Sequence, residues 1–127
     1  PIFIQPDGTK RFLSGQITKG ASFKIGDGID VLCEGYATGL SVHRAISALK
    51  IKARVHVCFS ASNMLEIAKE CENPIVIADN DPVGIRTAKK IGKYWVSDVE
   101  GEDFNDAELR LGIKSVCQSL KSLIKGL

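Results

Sequence analysis

Four short apolar runs, at 29–33, 55–59, 75–78 and 94–96, punctuate this chain. Between them the apolar positions return with the period of a helix. Val42, Ala45, Ile46 and Leu49 share one helical face, as do Met64, Leu65, Ala68 and Cys71. Asp81-Pro82 sets an N-cap acid before a proline at the first helical position. Val83, Ala88 and Ile91 then turn inward, with Arg86, Lys89 and Lys90 largely on the other side. Strands and helices alternating at this spacing imply right-handed crossovers and a parallel sheet. The expected fold is therefore α/β: a four-stranded parallel, doubly wound sheet over residues 29–127, with helices on both faces.

The ends of the chain read differently. In residues 1–28, Ile2-Phe3-Ile4-Gln5 and Lys10-Arg11-Phe12-Leu13 flank Pro6-Asp7-Gly8, a turn signal between two short strands. A third short strand is expected at Ala21-Ser22-Phe23-Lys24-Ile25, followed by a Gly26-Asp27-Gly28 turn. These form a small antiparallel β element ahead of the main sheet. After the fourth run comes an acidic loop from Asp98 to Asp106. Asn105, with Glu108 three residues on, resembles a capping box. Ile113, Val116, Leu120, Leu123 and Ile124 make a final amphipathic stripe, with Lys114, Lys121 and Lys125 on its polar side.

At 127 residues the chain suits one domain with a real core. A net charge of +2 neither demands nor excludes nucleic acid, because local charge matters more than the total. There is no signal-peptide pattern and no run long enough to span a bilayer. Cys33, Cys58, Cys71 and Cys117 form no CxxC pair, and they read as reduced core residues of a cytoplasmic protein, with no zinc site expected. The chain starts at Pro1 inside a strand-like pattern, which reads as a piece of a longer protein.

The chemistry sits at the strand ends. Glu34 closes the first run; Asp79 and Asp81 close the third. Carboxylates ending buried strands are costly to desolvate, and converging ones are commonly offset by a divalent cation. In a parallel sheet all strands end at one edge. In the flavodoxin-like order the first and third strands are neighbours, about 4.8 Å apart, flanking the switch-point crevice where ligands bind. An all-oxygen site suits Mg²⁺ or Mn²⁺ and, through them, phosphate chemistry. Asp103, with Glu102 and Asp106 nearby, is a candidate for a second metal or for orienting the first. Gly35 and Gly84 leave room for backbone or phosphate to approach. Asp81 also suits a plain N-cap.

Three segments in order, Glu34-Gly35-Tyr36, Asp79-Asn80-Asp81-Pro82-Val83-Gly84 and Gly101-Glu102-Asp103-Phe104-Asn105-Asp106, resemble the Toprim (topoisomerase-primase) domain over roughly residues 29–112. The wording is most similar to primases and primase-helicases of phages and plasmids, where a hairpin segment like residues 1–25 also precedes the core. The resemblance implies primer synthesis from ribonucleoside triphosphates on single-stranded DNA, beside a helicase domain or protein. It implies that Glu34 serves as acid/base or metal-directing carboxylate, that Asp79 and Asp81 bind Mg²⁺ or Mn²⁺, and that Asp103 opens the later acidic motif. Thr38 and Asn105 stand where bacterial replicative primases carry further acids.

Phosphate-bearing partners require bordering cations, and Arg86, Lys89 and Lys90 are the candidates beyond Asp81, Arg86 the nearest. Lys10, Arg11, Lys19 and Lys24 form a second basic cluster. His43 reads as a helix-surface or core histidine, His56, Tyr94 and Trp95 as packing residues, and Ser60 and Ser62 as helix caps. Two other activities fit the same acids: Toprim-type strand cleavage, and a non-catalytic module that binds nucleic acid or a replication partner. A receiver-type phosphoacceptor fits less well, since such domains pair acids at the end of the first strand.

Overall fold

The computed structural model describes residues 22–125 and the two short strands at 3–4 and 10–11. Strands β1 (Phe3–Ile4) and β2 (Lys10–Arg11) pair antiparallel, with Phe3 opposite Arg11. The Pro6-Asp7-Gly8 turn and Lys19 lie outside the described residues, as do the side chains of Lys10 and Arg11.

The main sheet contains β3 (Phe23–Gly26), β4 (Ile29–Cys33), β5 (Ala53–Val57), β6 (Ile75–Ile77) and β7 (Lys93–Trp95), in the order β3-β5-β4-β6-β7. The last four strands by sequence are mutually parallel, as expected from their spacing. The sheet is nonetheless mixed and five-stranded, which corrects the four-stranded parallel expectation. β3 does not stay with the N-terminal hairpin; it is an antiparallel edge strand on β5, with Phe23 opposite Val57. The cause is its apolar face. Phe23 and Ile25 pack onto the same core as β5, while Lys24 and Gly26 face outward.

Because β3 and β4 flank β5, the Gly26-Asp27-Gly28 turn must cross the start of β5. The crossing is close. A Cβ on Gly28 would stand 2.2 Å from the Lys52 carbonyl oxygen, and φ there is +133°. Glycine meets both demands, and Arg54 then pairs with Asp27 across the turn.

The strands alternate their side chains between two cores. Val31, Cys33, Val55, Val57, Ile75, Ile77 and Trp95 face α1 (Tyr36–Ala48), α4 (Phe104–Leu111) and α5 (Ile113–Lys125). Leu32, Cys58, Val76 and Ala78 face α2 (Ala61–Ala68) and α3 (Pro82–Ile91). Helices therefore cover both faces. Burial pushes the Cys58 thiol up to about 12, as befits a small core residue. Among the described residues no helix is long and apolar enough to cross a membrane.

Three local expectations are corrected. Val83 is 52% exposed, since the first turn of α3 projects past the end of β6. The residue buried in α2 between Met64 and Ala68 is Ile67, while Leu65 is only half-buried. The C-terminal stripe begins at Val116: Gly112, at φ +88°, breaks the chain into α4 and α5 and leaves Ile113 exposed.

Phe104 is fully buried, and its ring meets Trp95 edge-on at 5.1 Å between centroids. Since it opens α4, it also sets where the preceding acidic residue stands. Phe104→Ala is expected to cost about 3–5 kcal/mol in urea denaturation. A loss below about 1 kcal/mol would show that α4 is not anchored through this ring.

Candidate functional site

The carboxyl ends of β4 and β6 emerge side by side, because these strands pair in parallel with Val31 opposite Ile75 and Leu32 opposite Val76. Glu34 follows β4 directly. Its carbonyl accepts from Phe59 N at 2.9 Å, which extends the β4–β5 pairing past the last strand residue and holds Glu34 at the sheet edge. Asp79 leaves β6, and its carbonyl accepts from Asp81 N at 2.8 Å in a tight turn. Asp81 is the N-cap of α3, its Oδ1 accepting from Gly84 N at 2.6 Å. The N-cap expectation for Asp81 therefore holds, and its carboxylate sits at the entrance of α3.

The third acidic segment docks on the second through the backbone. Asn80 N donates to the Glu102 carbonyl at 2.9 Å, and Gly101 N donates to the Asn80 carbonyl at 2.8 Å. The Asn80 side chain donates to the Ser97 carbonyl at 2.7 Å. Asn80 is thus the residue that binds the acidic loop to the end of β6, a role its position between two aspartates did not disclose. The helix cap beyond is Asp103, not Asn105. Asp103 Oδ1 accepts from Asp106 N at 2.8 Å, and Asp106 Oδ2 accepts from Asp103 N at 3.2 Å. An aspartate at the third helical position closes this box, one carbon shorter than the expected glutamate.

Glu102 is withdrawn from the site. Arg110 grips it with two hydrogen bonds, at 2.8 and 2.9 Å, and Ser97 donates to it as well. These bonds hold its carboxyl below the usual range. Arg110 also pairs with Asp98 at 2.7 Å. The acid of this loop that faces the cleft is Asp103.

Glu34, Asp79 and Asp103 line a cleft of about 270 Å³ together with Gly35, Tyr36, Thr38 and Asn105. Thr38 and Asn105 therefore stand where further acids at those positions would also reach. A larger groove of about 840 Å³ runs between α2 and α3, but its lining offers no carboxylate cluster. The chemistry favours the smaller cleft.

Asp79 carries the electrostatic signature. Burial, and then the charges of Glu34, Asp103, Asp81 and Asp106, raise its carboxyl to about 6. Among the described residues no three of these acids bring their oxygens within 4.8 Å of one another. One bare ion bridging all of them directly does not match this geometry. A Mg²⁺ that keeps several waters does match it, because such an ion takes one or two carboxylates directly and meets the rest through water. The all-oxygen donor set and the unrelieved repulsion at Asp79 both fit such an ion.

The other wall of the cleft is the start of α1. Its N-cap is Gly35, with no side-chain cap, and a Cβ there would meet nothing within 4 Å. The first-turn amides of α1 thus border an open space, the arrangement that receives phosphate. Gly84 differs. A Cβ on it would stand 2.5 Å from the Asp79 carbonyl oxygen, so its bareness lets α3 close onto the strand end.

Arg86, Lys89 and Lys90 are exposed on α3 and do not line the carboxylate cleft; Lys90 borders the α2–α3 groove. His56 is buried as expected, but among polar groups: Asp30 at 2.8 Å and Ser22 at 3.3 Å. Ser60 caps α2 by accepting from Asn63 N at 3.1 Å.

No protein-family model matches the chain, and no curated protein matches it. The fold and cleft define its class on their own: an α/β domain with an acidic crevice at the switch point of its sheet.

Two outcomes follow. With its folded pKa raised, Asp79 favours its protonated form in the native state. That contribution is complete below the unfolded value near 3.8 and is lost as pH rises through about 6. In the absence of divalent cations, Asp79→Asn should match wild type near pH 4 and exceed it above pH 6. The gain, screened by solvent at this half-exposed site, is on the order of 1 kcal/mol. Denaturation midpoints across pH check this, and a pH-independent difference would refute it. Gly84→Ala sets an overpacking cost of about 1–3 kcal/mol against a helix-propensity gain of about 1 kcal/mol. A net loss of stability is expected in thermal melts, because the obstructing atom is backbone.

Proposed function

We propose that the chain is a Toprim-type domain performing metal-dependent nucleotidyl transfer, as in a DNA primase that makes RNA primers on single-stranded DNA. The observation that carries the reading is the cleft lined by Glu34, Asp79 and Asp103 at the switch-point crevice, where burial and the neighbouring charges, those of Asp81 and Asp106 included, raise the half-buried Asp79 carboxyl. It joins the ordered acidic segments of the sequence to a site whose repulsion calls for a cation.

In this reading Asp79 and Asp81 hold Mg²⁺ or Mn²⁺, with Asp103 as a further carboxylate. The ion, when bound, supplies charge neutralisation at the phosphates and alignment of the attacking and leaving oxygens. Glu34 handles the proton at the attacking hydroxyl. The open first turn of α1 receives a phosphate of the nucleotide. Arg86 and Lys89, exposed on α3, track the template backbone, with Lys90 at the margin of that path.

The protein is assayed with single-stranded template, ribonucleoside triphosphates and Mg²⁺ or Mn²⁺. Asp79→Asn and Glu34→Gln are each expected to reduce primer synthesis by about 10²-fold or more, in line with the several kcal/mol a catalytic metal contributes. Variants that make primers as well as wild type would refute the reading. Calorimetric Mn²⁺ titration of the same variants separates loss of the metal from loss of the proton-handling group.

A further inference from the structure

We propose that Asp30, His56 and Cys71 form a second metal site, specific for Zn²⁺ and its transition-metal relatives and separate from the carboxylate cleft. One ligand atom from each of the three lies within 4.8 Å of the other two, and among the described residues they form the only such group.

The place is well defined. Asp30 is the second residue of β4, at the opposite end of that strand from Glu34. His56 lies on β5, whose register puts Arg54 opposite Asp30 and His56 opposite Leu32. Asp30 and His56 therefore project from the same face of adjacent strands, the face covered by α2. Cys71 follows the end of α2 and comes down on them. The three meet in a polar cavity of about 170 Å³ that is also lined by Ser22, Arg54 and Glu70.

The donor set selects the metal. Mg²⁺ and Ca²⁺ take oxygen, whereas a thiolate, an imidazole and a carboxylate together suit Zn²⁺ or Co²⁺. Two of these ligands are negative, so a divalent ion leaves the cluster neutral, which suits a histidine only 4% exposed. Tetrahedral Zn²⁺ places its ligand atoms roughly 3.3–3.8 Å apart. His56 Nε2 and Asp30 Oδ1 now stand at 2.8 Å, so they open slightly while Cys71 closes in. The cavity of about 170 Å³ has room for a water as the fourth ligand.

The outer shell is already in place. His56 Nδ1 lies 3.3 Å from Ser22 Oγ. A proton on Nδ1 donated to that hydroxyl leaves the Nε2 lone pair aimed at the site, the arrangement that orients ligating histidines. On binding, the Cys71 thiol releases its proton to solvent, the imidazole proton shifts from Nε2, where it bonds Asp30, to Nδ1, where it bonds Ser22, and nothing is oxidised or reduced. The ion then ties the end of α2 to β4 and β5, and stabilises the fold by mass action.

The test uses reduced, metal-stripped protein titrated with Co²⁺. The expected result is a one-to-one thiolate-to-cobalt charge-transfer band with tetrahedral visible absorption, displaced by Zn²⁺. Cys71→Ser, at a half-exposed turn position where folding is readily verified by circular dichroism, should abolish the charge-transfer band. His56→Gln and Asp30→Asn should weaken binding by about 100-fold, and Ser22→Ala by about 10-fold. Asp79→Asn should leave the band unchanged, which separates this site from the carboxylate cleft. Absence of the band at millimolar Co²⁺, or its survival in Cys71→Ser, would overturn the proposal.

Discussion

Repulsion among the carboxylates around Asp79 is the constraint on which the carboxyl edge of the sheet depends. Parallel pairing of β4 with β6 forces Glu34 and Asp79 out at the same edge. Three helices, α1, α3 and α4, begin around them. Their positive ends favour nearby anions, each by about 0.3–1 kcal/mol. That help is insufficient, because burial, and then the neighbouring charges, still raise the Asp79 carboxyl to about 6. The fold therefore tolerates an uncompensated cost at Asp79, a pattern that marks functional sites more often than structural ones.

How the chain limits that cost is visible in the acidic loop. It brings Asp98, Glu102, Asp103 and Asp106 close to an edge already crowded with negative charge. Arg110 takes two of them, Asp98 and Glu102, into its own hydrogen bonds. Asp103 and Asp106 are occupied with each other's backbone amides at the start of α4. Each carboxylate thus has one oxygen committed to a cap, which fixes where the other points. Capping and cation binding are compatible here, so the N-cap reading of Asp81 and the metal reading of Asp79 and Asp81 do not compete.

Much of this was legible in the sequence for a physical reason: parallel strands buried on both faces read as apolar runs, and the acids at their ends break those runs sharply. Val31 to Cys33 and Ile75 to Ala78 show this plainly, and their chain order set Glu34 beside Asp79. What was not legible depended on register and on contacts between distant segments. β3 was read as part of a local hairpin because its sequence neighbours are turns, yet its apolar face found β5. The cap at Asp103 was hidden by an aspartate doing the usual work of a glutamate. Asn80 and Arg110 carry no local signal, since their partners lie 17 residues away at Ser97 and 12 away at Asp98. His56 and Cys71 looked like isolated core residues because only the pairing of β4 with β5 shows that Asp30 and His56 share a face.

The two polar clusters of the domain sit at opposite ends of one strand. Asp30 and Glu34 are four residues apart on β4 and its extension, about 13 Å at the rise of an extended chain. No single ion can draw ligands from both, and their donors differ in kind: oxygen alone at the carboxyl end, and nitrogen, sulphur and oxygen together at the other. The apolar residues between them, Val31, Leu32 and Cys33, are fully buried. The centre of the sheet keeps the two chemistries apart, since a strand interior closed to water offers no path for a hydrated ion to pass from one end to the other. The carboxylate edge is open and wet, which suits a labile cation that arrives with a phosphate ligand. The Asp30–His56 end adds an imidazole and a thiol to a carboxylate, which suits an ion that stays.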